Sequence, residues 1–354
     1  VSIFHFAILS RNLQSYRQKP ILLKGHERAI TCVIYNNDGD LIFSAAKDSV
    51  PTLWRADTGE RVGTYSGHSG AVWALSCRWD TKYLLSASAD ATAKLWEVKT
   101  GQLLVNYPHN GPVRSVCWAD GGQRFATCSN YFMDKPGGIF IYDTPHHLNP
   151  QQYNKIPTIE VKIINKENPT EVIFTAFNDR LLASFEDGSI RVFDPKNGEQ
   201  LNKINPHTKS ISRLYMSPCK TFIITCSKDY TAKLLDADTL EVLKVYSTDR
   251  PVNAAVLNME KEHVLLGGGQ DAMDVTTTGS SVGKFETRFF HMIYEEEFGR
   301  VKGHFGPINA LAINPDGMSF CSGSEDGYIR LHHFDKDYLD KQDEVPNKLD
   351  GPIE

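Results

Sequence analysis

The chain has 354 residues, 41% of them hydrophobic, and 38 Lys and Arg against 43 Asp and Glu give a net charge of −5. That content suffices for a large core, no run approaches the roughly 20 apolar residues of a membrane span, and the mild acidity supplies no global basic field for gripping nucleic acid. Seven cysteines, at positions 32, 77, 117, 128, 219, 226 and 321, form no Cys-x-x-Cys pair, so they read as buried thiols rather than a disulfide framework or zinc site.

Residues 1–18 fit no pattern that follows and lack the basic start and small-residue cleavage site of a secretory signal. They are expected to form a disordered extension. The run Pro20 to Leu23 predicts a short strand leading into Gly25-His26. From there the chain repeats itself. His26 is followed at 18, 22 and 28 residues by Ser44, Asp48 and Trp54, and His68 by Ser86, Asp90 and Trp96 at the same spacing. Between them lie short runs rich in β-branched residues, punctuated by Gly and Asp turns, each of which predicts a strand.

A third unit starts at His109 but has no Asp 22 residues on; Tyr131–Gly138 lengthens a turn and Thr144–Pro157 reads as a loop. Counting back from Asp187 starts a fourth at Asn165, with Ala183 in place of the hydroxyl. The fifth has His207, Thr225 and Asp229, with Leu235 where Trp would stand. A sixth, counted from Asp249 to Asp271 with Gly267 for the hydroxyl, is overlong, and the excess is placed in Gly279–Arg300. The seventh has His304, Ser322 and Asp326, with His332 in the Trp position. Residues 340–354 are polar with prolines and are expected to be disordered.

A period of about 42 residues, with Gly-His at one end and an aromatic followed by an acid near the other, is the pattern of WD40 propeller blades. Seven units predict an all-β fold, a seven-bladed WD40 β-propeller over 19–339 closed by the N-terminal strand at Ile21. That strand would be the outer strand of the last blade and so join the two chain ends.

A His, a hydroxyl and a carboxylate invite a catalytic-triad reading, but a triad is one site beside one oxyanion hole, whereas this set occurs complete four times. The expected role is structural: Asp accepts from His, His orients the hydroxyl, and the hydroxyl meets the Trp indole. Units four and six, lacking members, are expected to be locally weaker. His146-His147 and His332-His333 have no metal-ligand spacing, and Gly267-Gly268-Gly269 reads as a tight bend rather than a phosphate cradle, because no Lys-Ser/Thr completes it. No catalytic residue, cofactor or metal is expected. The acidic run Glu295–Glu297 reads as a solvated loop beside Phe289-Phe290, or a docking feature for a basic partner.

Two stretches are more particular than the repeat: GGGQDAMDVTTT (267–278) and KFETRFFHMIYEEEFGRVKGHFGPINALAINPDG (284–317). With KPILLKGHERAIT (19–31), GTYSGHSGAVWAL (63–75) and SEDGYIRLHHFD (324–335), they resemble subunit i of eukaryotic translation initiation factor 3 over about residues 19–339. The resemblance implies a non-catalytic cytosolic scaffold that binds the C-terminal segment of subunit b and the N-terminal part of subunit g. Through that complex it would support mRNA recruitment and scanning on the 40S subunit, without direct nucleic-acid or membrane contact. A partner helix is expected along the fifth and sixth blades, against Leu234 and Asp236, which flank the missing Trp, and Gln270. The alternative is a WD40 scaffold or adaptor in signalling or a ubiquitin ligase.

Overall fold

The computed structural model describes residues 19–145, 149–163, 166–269 and 285–339. They form seven four-stranded antiparallel sheets, in six of which consecutive strands pair in chain order. Blade 1 is typical: Ile30–Tyr35, Leu41–Ala46, Thr52–Arg55 and Arg61–Thr64 run from the axis outward. Its first turn works because Gly39 takes φ +76°, a left-handed conformation that costs glycine little. The Asn36 carboxamide then accepts from Leu41 N–H at 3.0 Å and fixes the register. Every inner strand carries a bulge near its start, as between Ile30 and Cys32, which bends it toward the axis.

The blades are stacked face to face, so the core is not one mass but seven apolar clusters, one between each neighbouring pair. The last joins Ala310, Cys321 and Leu331 of blade 7 to Ile30, Ile42 and Trp54 of blade 1. That contact closes the circle. Backbone hydrogen bonds close it as well: Ile21–Leu23 pairs antiparallel with Ile329–Leu331, making the chain's first strand the outer strand of its last blade. Leu23 is buried in the same cluster. At the other end, Lys336–Leu339 forms a helical turn whose Tyr338 ring stacks on Phe334, with centroids 4.2 Å apart.

Three sequence expectations need correction. Backbone register places Thr248, not Asp249, in the position of the blade-starting His: Thr248 N–H bonds Tyr230 C=O as His109 N–H bonds Ala91 C=O. The hydroxyl position of blade 6 therefore holds Leu266, which pairs with Ala255 as Ser44 pairs with Val33. Second, Glu286–His291 and Glu297–Lys302 are ordinary blade strands, so the extra length of blade 6 precedes Glu286. Third, Cys219 is exposed in a turn of blade 5, although all seven thiols are free. Residues 1–18 and 340–354, Asn165, Asp271 and the His146-His147 pair lie outside the described residues. Among those described, no helix is long and apolar enough to cross a membrane and no group of three His, Cys, Asp or Glu is placed to hold a metal.

Candidate partner-binding surface

In blades 1, 2, 5 and 7 the repeated polar residues meet at the end of the blade where the chain enters its inner strand. In blade 1, His26 Nδ1 lies 2.8 Å from Asp48 Oδ2, His26 Nε2 lies 2.7 Å from the Ser44 hydroxyl, and Trp54 indole N–H donates to Ser44 Oγ at 2.8 Å. The corresponding distances at His68, Asp90, Ser86 and Trp96 are 2.8, 2.7 and 2.8 Å. In blade 5 His207 lies 2.9 Å from Asp229 and 2.8 Å from Thr225; in blade 7 His304 lies 3.0 Å from Asp326 and 2.8 Å from Ser322. A carboxylate only accepts, so Nδ1 carries the proton and the neutral ring's Nε2 accepts from the hydroxyl. In blades 1 and 2 every hydrogen bond then points one way, from indole to hydroxyl to imidazole to carboxylate, and in blades 5 and 7 the chain starts at the hydroxyl.

Burial opposes ionisation of Asp90, but hydrogen bonds from His68, Thr92 and the Ser69 amide outweigh it and hold the carboxyl well below its ordinary range. The balance is the same, burial against hydrogen bonds, at Asp48, Asp229 and Asp326. Blade 3 has a partial set that the sequence reading missed: His109 Nε2 lies 2.8 Å from the Thr127 hydroxyl, and Nδ1 donates to Tyr107 C=O at 3.0 Å. The 18-residue spacing from His109 to Thr127 was the signal for it.

Of the three residues expected to hold a partner, the two that are described do not form one surface. Leu234 is 3% exposed, packed with Tyr246, Val252 and Ala255 between blades 5 and 6. Leu235, in the Trp position, is fully buried against blade 4. The third strand of a blade is covered on both faces by its neighbours, so neither side chain reaches solvent. Asp236 uses Oδ1 to accept from Thr239 and Asp238 N–H at 2.8 and 2.9 Å, closing the turn to the outer strand; these bonds, Thr239 foremost, keep its carboxyl below the ordinary range. Gln270 lies outside the described residues.

The same two blades expose a different apolar surface one strand further out. Val242–Ser247 is the outer strand of blade 5, an open edge on which Val242, Leu243 and Val245 are 43%, 43% and 37% exposed. Tyr246 O–H donates to Met292 C=O at 2.7 Å and Lys244 Nζ lies 3.4 Å from Glu295, which ties this strand to the outer turn of blade 6. In that turn Ile293 and Tyr294 are exposed. Asp238, Glu241, Glu295 and Glu296, all exposed, flank the apolar residues with negative charge. A long, proline-free apolar edge is a template for another chain, and an acidic margin selects a basic one.

The likeness to known proteins spans this whole architecture. A family model described as EIF3I matches residues 18–344. Proteins named eukaryotic translation initiation factor 3 subunit I align with it at 46% identity over 325 residues in Taeniopygia guttata and 45% over 325 in Homo sapiens. The one from Anopheles gambiae is 43% identical over 323 residues, and each alignment covers 91% of this chain and 98% of the relative. The repeat, the closed ring of seven blades and these alignments agree: the chain belongs to the family of eukaryotic translation initiation factor 3 subunit I.

Proposed function

We propose that this chain is a non-catalytic scaffold subunit of the cytoplasmic initiation factor 3 complex. It captures the C-terminal segment of subunit b and the N-terminal part of subunit g, and through the complex supports mRNA recruitment and scanning on the 40S subunit. The observation that carries this reading is alignment with relatives of that name across the entire propeller rather than one blade. The His, hydroxyl and Asp sets act as internal ties of individual blades, since four equivalent copies serve four sheets and no common centre.

Within this role the rim of blades 5 and 6 receives the subunit b segment. An amphipathic basic helix laid along Leu243, Val245 and Ile293 would bury the exposed side chains and set its cations against Glu241 and Glu296. Affinity purification of the chain from a eukaryotic cell under moderate salt tests the reading. Stoichiometric recovery of initiation factor 3 subunits is the expected result; recovery of a ubiquitin-ligase or signalling assembly without them would overturn it.

A further inference from the structure

The two ends of the central channel differ. Near the end bearing the His residues, Arg213 of blade 5 crosses the axis: its guanidinium donates to Thr31 C=O of blade 1 and Trp73 C=O of blade 2, at 2.5 and 3.5 Å, while Glu171 of blade 4 pairs with it at 3.3 Å. Arg114 lies over the Trp73 ring at 4.4 Å on the same side. The opposite end is open. There the turns following the inner strands surround a recess of about 620 Å³ that narrows to a chamber of about 110 Å³ against Arg213 and Glu171. It falls within the volume range of ligand pockets, and its lining sets the half-buried apolar residues Tyr215, Met216, Met259 and Ile313 among polar ones such as Asn37 and Ser76.

Its mouth is marked by exposed apolar side chains that serve no core. Trp79 on the lip is 58% exposed. Phe177 is 88% exposed and held at φ +56°, a conformation unfavourable for a bulky residue. Its turn is locked to the lip by Asn178, whose side chain exchanges two hydrogen bonds with the Asp120 backbone at 2.7 and 2.9 Å. Met318, in the blade 7 turn, is 55% exposed. The charge around these residues is negative. Asp38, Glu260 and Asp316 are exposed in the surrounding turns. Of the cations there, Arg78 pairs with Asp80 at 2.6 Å, Lys220 with Asp120 at 3.2 Å, Arg180 with Asp238 C=O and Lys261 with Leu339 C=O, while Lys82, in the turn that carries Trp79, is exposed.

We propose that this recess is a second docking site, separate from the rim of blades 5 and 6, for a basic segment of a partner chain that inserts a large apolar side chain. The exposed Trp79 and the half-buried apolar residues of the recess supply the anchor pocket, and the acidic turns supply attraction to flanking Arg or Lys. Residues 1–18 of the same chain, which contain Arg11, Arg17 and no acid, are the competing occupant.

The test uses the full chain and a short fluorescent peptide with Phe between two Arg-Arg pairs, alongside its Phe→Ser and Arg→Glu versions. The expected result is saturable binding of the first alone, weakened about tenfold by Trp79→Ala and by Glu260→Lys with Asp316→Lys, and several-fold by raising salt from 50 to 300 mM. Cys219, exposed between the lining residues Pro218 and Lys220, should be protected from alkylation by the bound peptide. Val245→Asp on the rim should leave this binding unchanged, so failure here is separable from failure of the rim assignment. No binding, equal binding of the Ser version, or indifference to both lip variants would overturn the proposal. So would about tenfold tighter binding after deletion of residues 1–18, which would assign the recess to the chain's own first segment.

Discussion

Trp96 indole N–H donates to the Ser86 hydroxyl across 2.8 Å, with both residues fully buried. Ser86 is thus the hinge of a chain that continues to His68 and Asp90. Ser86→Ala strands the indole donor and the imidazole acceptor in the interior and should cost about 1–3 kcal/mol in urea unfolding. In blade 7 the Trp position is held by His332, which stacks on Phe320 at 4.6 Å. Ser322→Ala there strands fewer groups and should cost less; equal losses would contradict the chain of bonds described.

The closing strand carries a larger share than its three residues suggest. Leu23 is 1% exposed in the cluster joining blades 7 and 1. Leu23→Ala should destabilise by about 2–5 kcal/mol, the usual range for a buried leucine, and loosen the ends of the ring first. Equilibrium unfolding gives the magnitude, and limited proteolysis near Lys19 and Arg330 gives the location.

Stability should fall on mild acidification. Burial pushes His109 down to about 4, partly offset by its bond to Tyr107 C=O, and pushes His332 down to about 3, helped by His304 and Arg330. Below the ordinary value near 6.5 the unfolded chain takes up protons that the folded chain refuses, so stability is full above pH 6.5 and is lost toward pH 4 and 3. The depressed blade carboxylates act in a lower window, keeping their contribution until pH falls below about 3.8. Urea midpoints at pH 7, 5.5 and 4.5 should decline, and His332→Phe should flatten the decline.

Blades 4 and 6 should open before the others. Ala183 and Leu266 occupy their hydroxyl positions, so neither blade has the interior tie of blades 1 and 2. Hydrogen exchange should be faster in Leu181–Phe185 and His263–Gly268 than in Tyr83–Ser88.

Much of this was legible because propeller blades repeat a polar spacing that survives sequence drift. The strand at Ile21 could be assigned to the last blade from its place before the first His. Blade 6 was misaligned by one residue because counting 42 residues forward from His207 lands on Asp249, whereas the step here is 41 and register follows the apolar strand starting at Val252. Asp249 instead pairs with Arg288. Leu234 was misjudged for a different reason: a missing Trp beside it suggests an open contact, but the third strand of a blade is covered on both faces by its neighbours, and Leu235 fills the Trp position. The exposed edge at Val242–Ser247 has the same composition as a core strand, and only its place at the rim distinguishes it.

The central claim is that the rim of blades 5 and 6 is a protein-binding surface of a scaffold subunit. It is tested most directly by titrating the purified C-terminal segment of subunit b against the chain and its Leu243→Asp, Val245→Asp double variant, with thermal unfolding as control. The account predicts binding to the unmodified chain, loss of about tenfold or more in the variant, and little change in its melting temperature, since both side chains already face solvent. Undiminished binding by a variant that melts normally would contradict it.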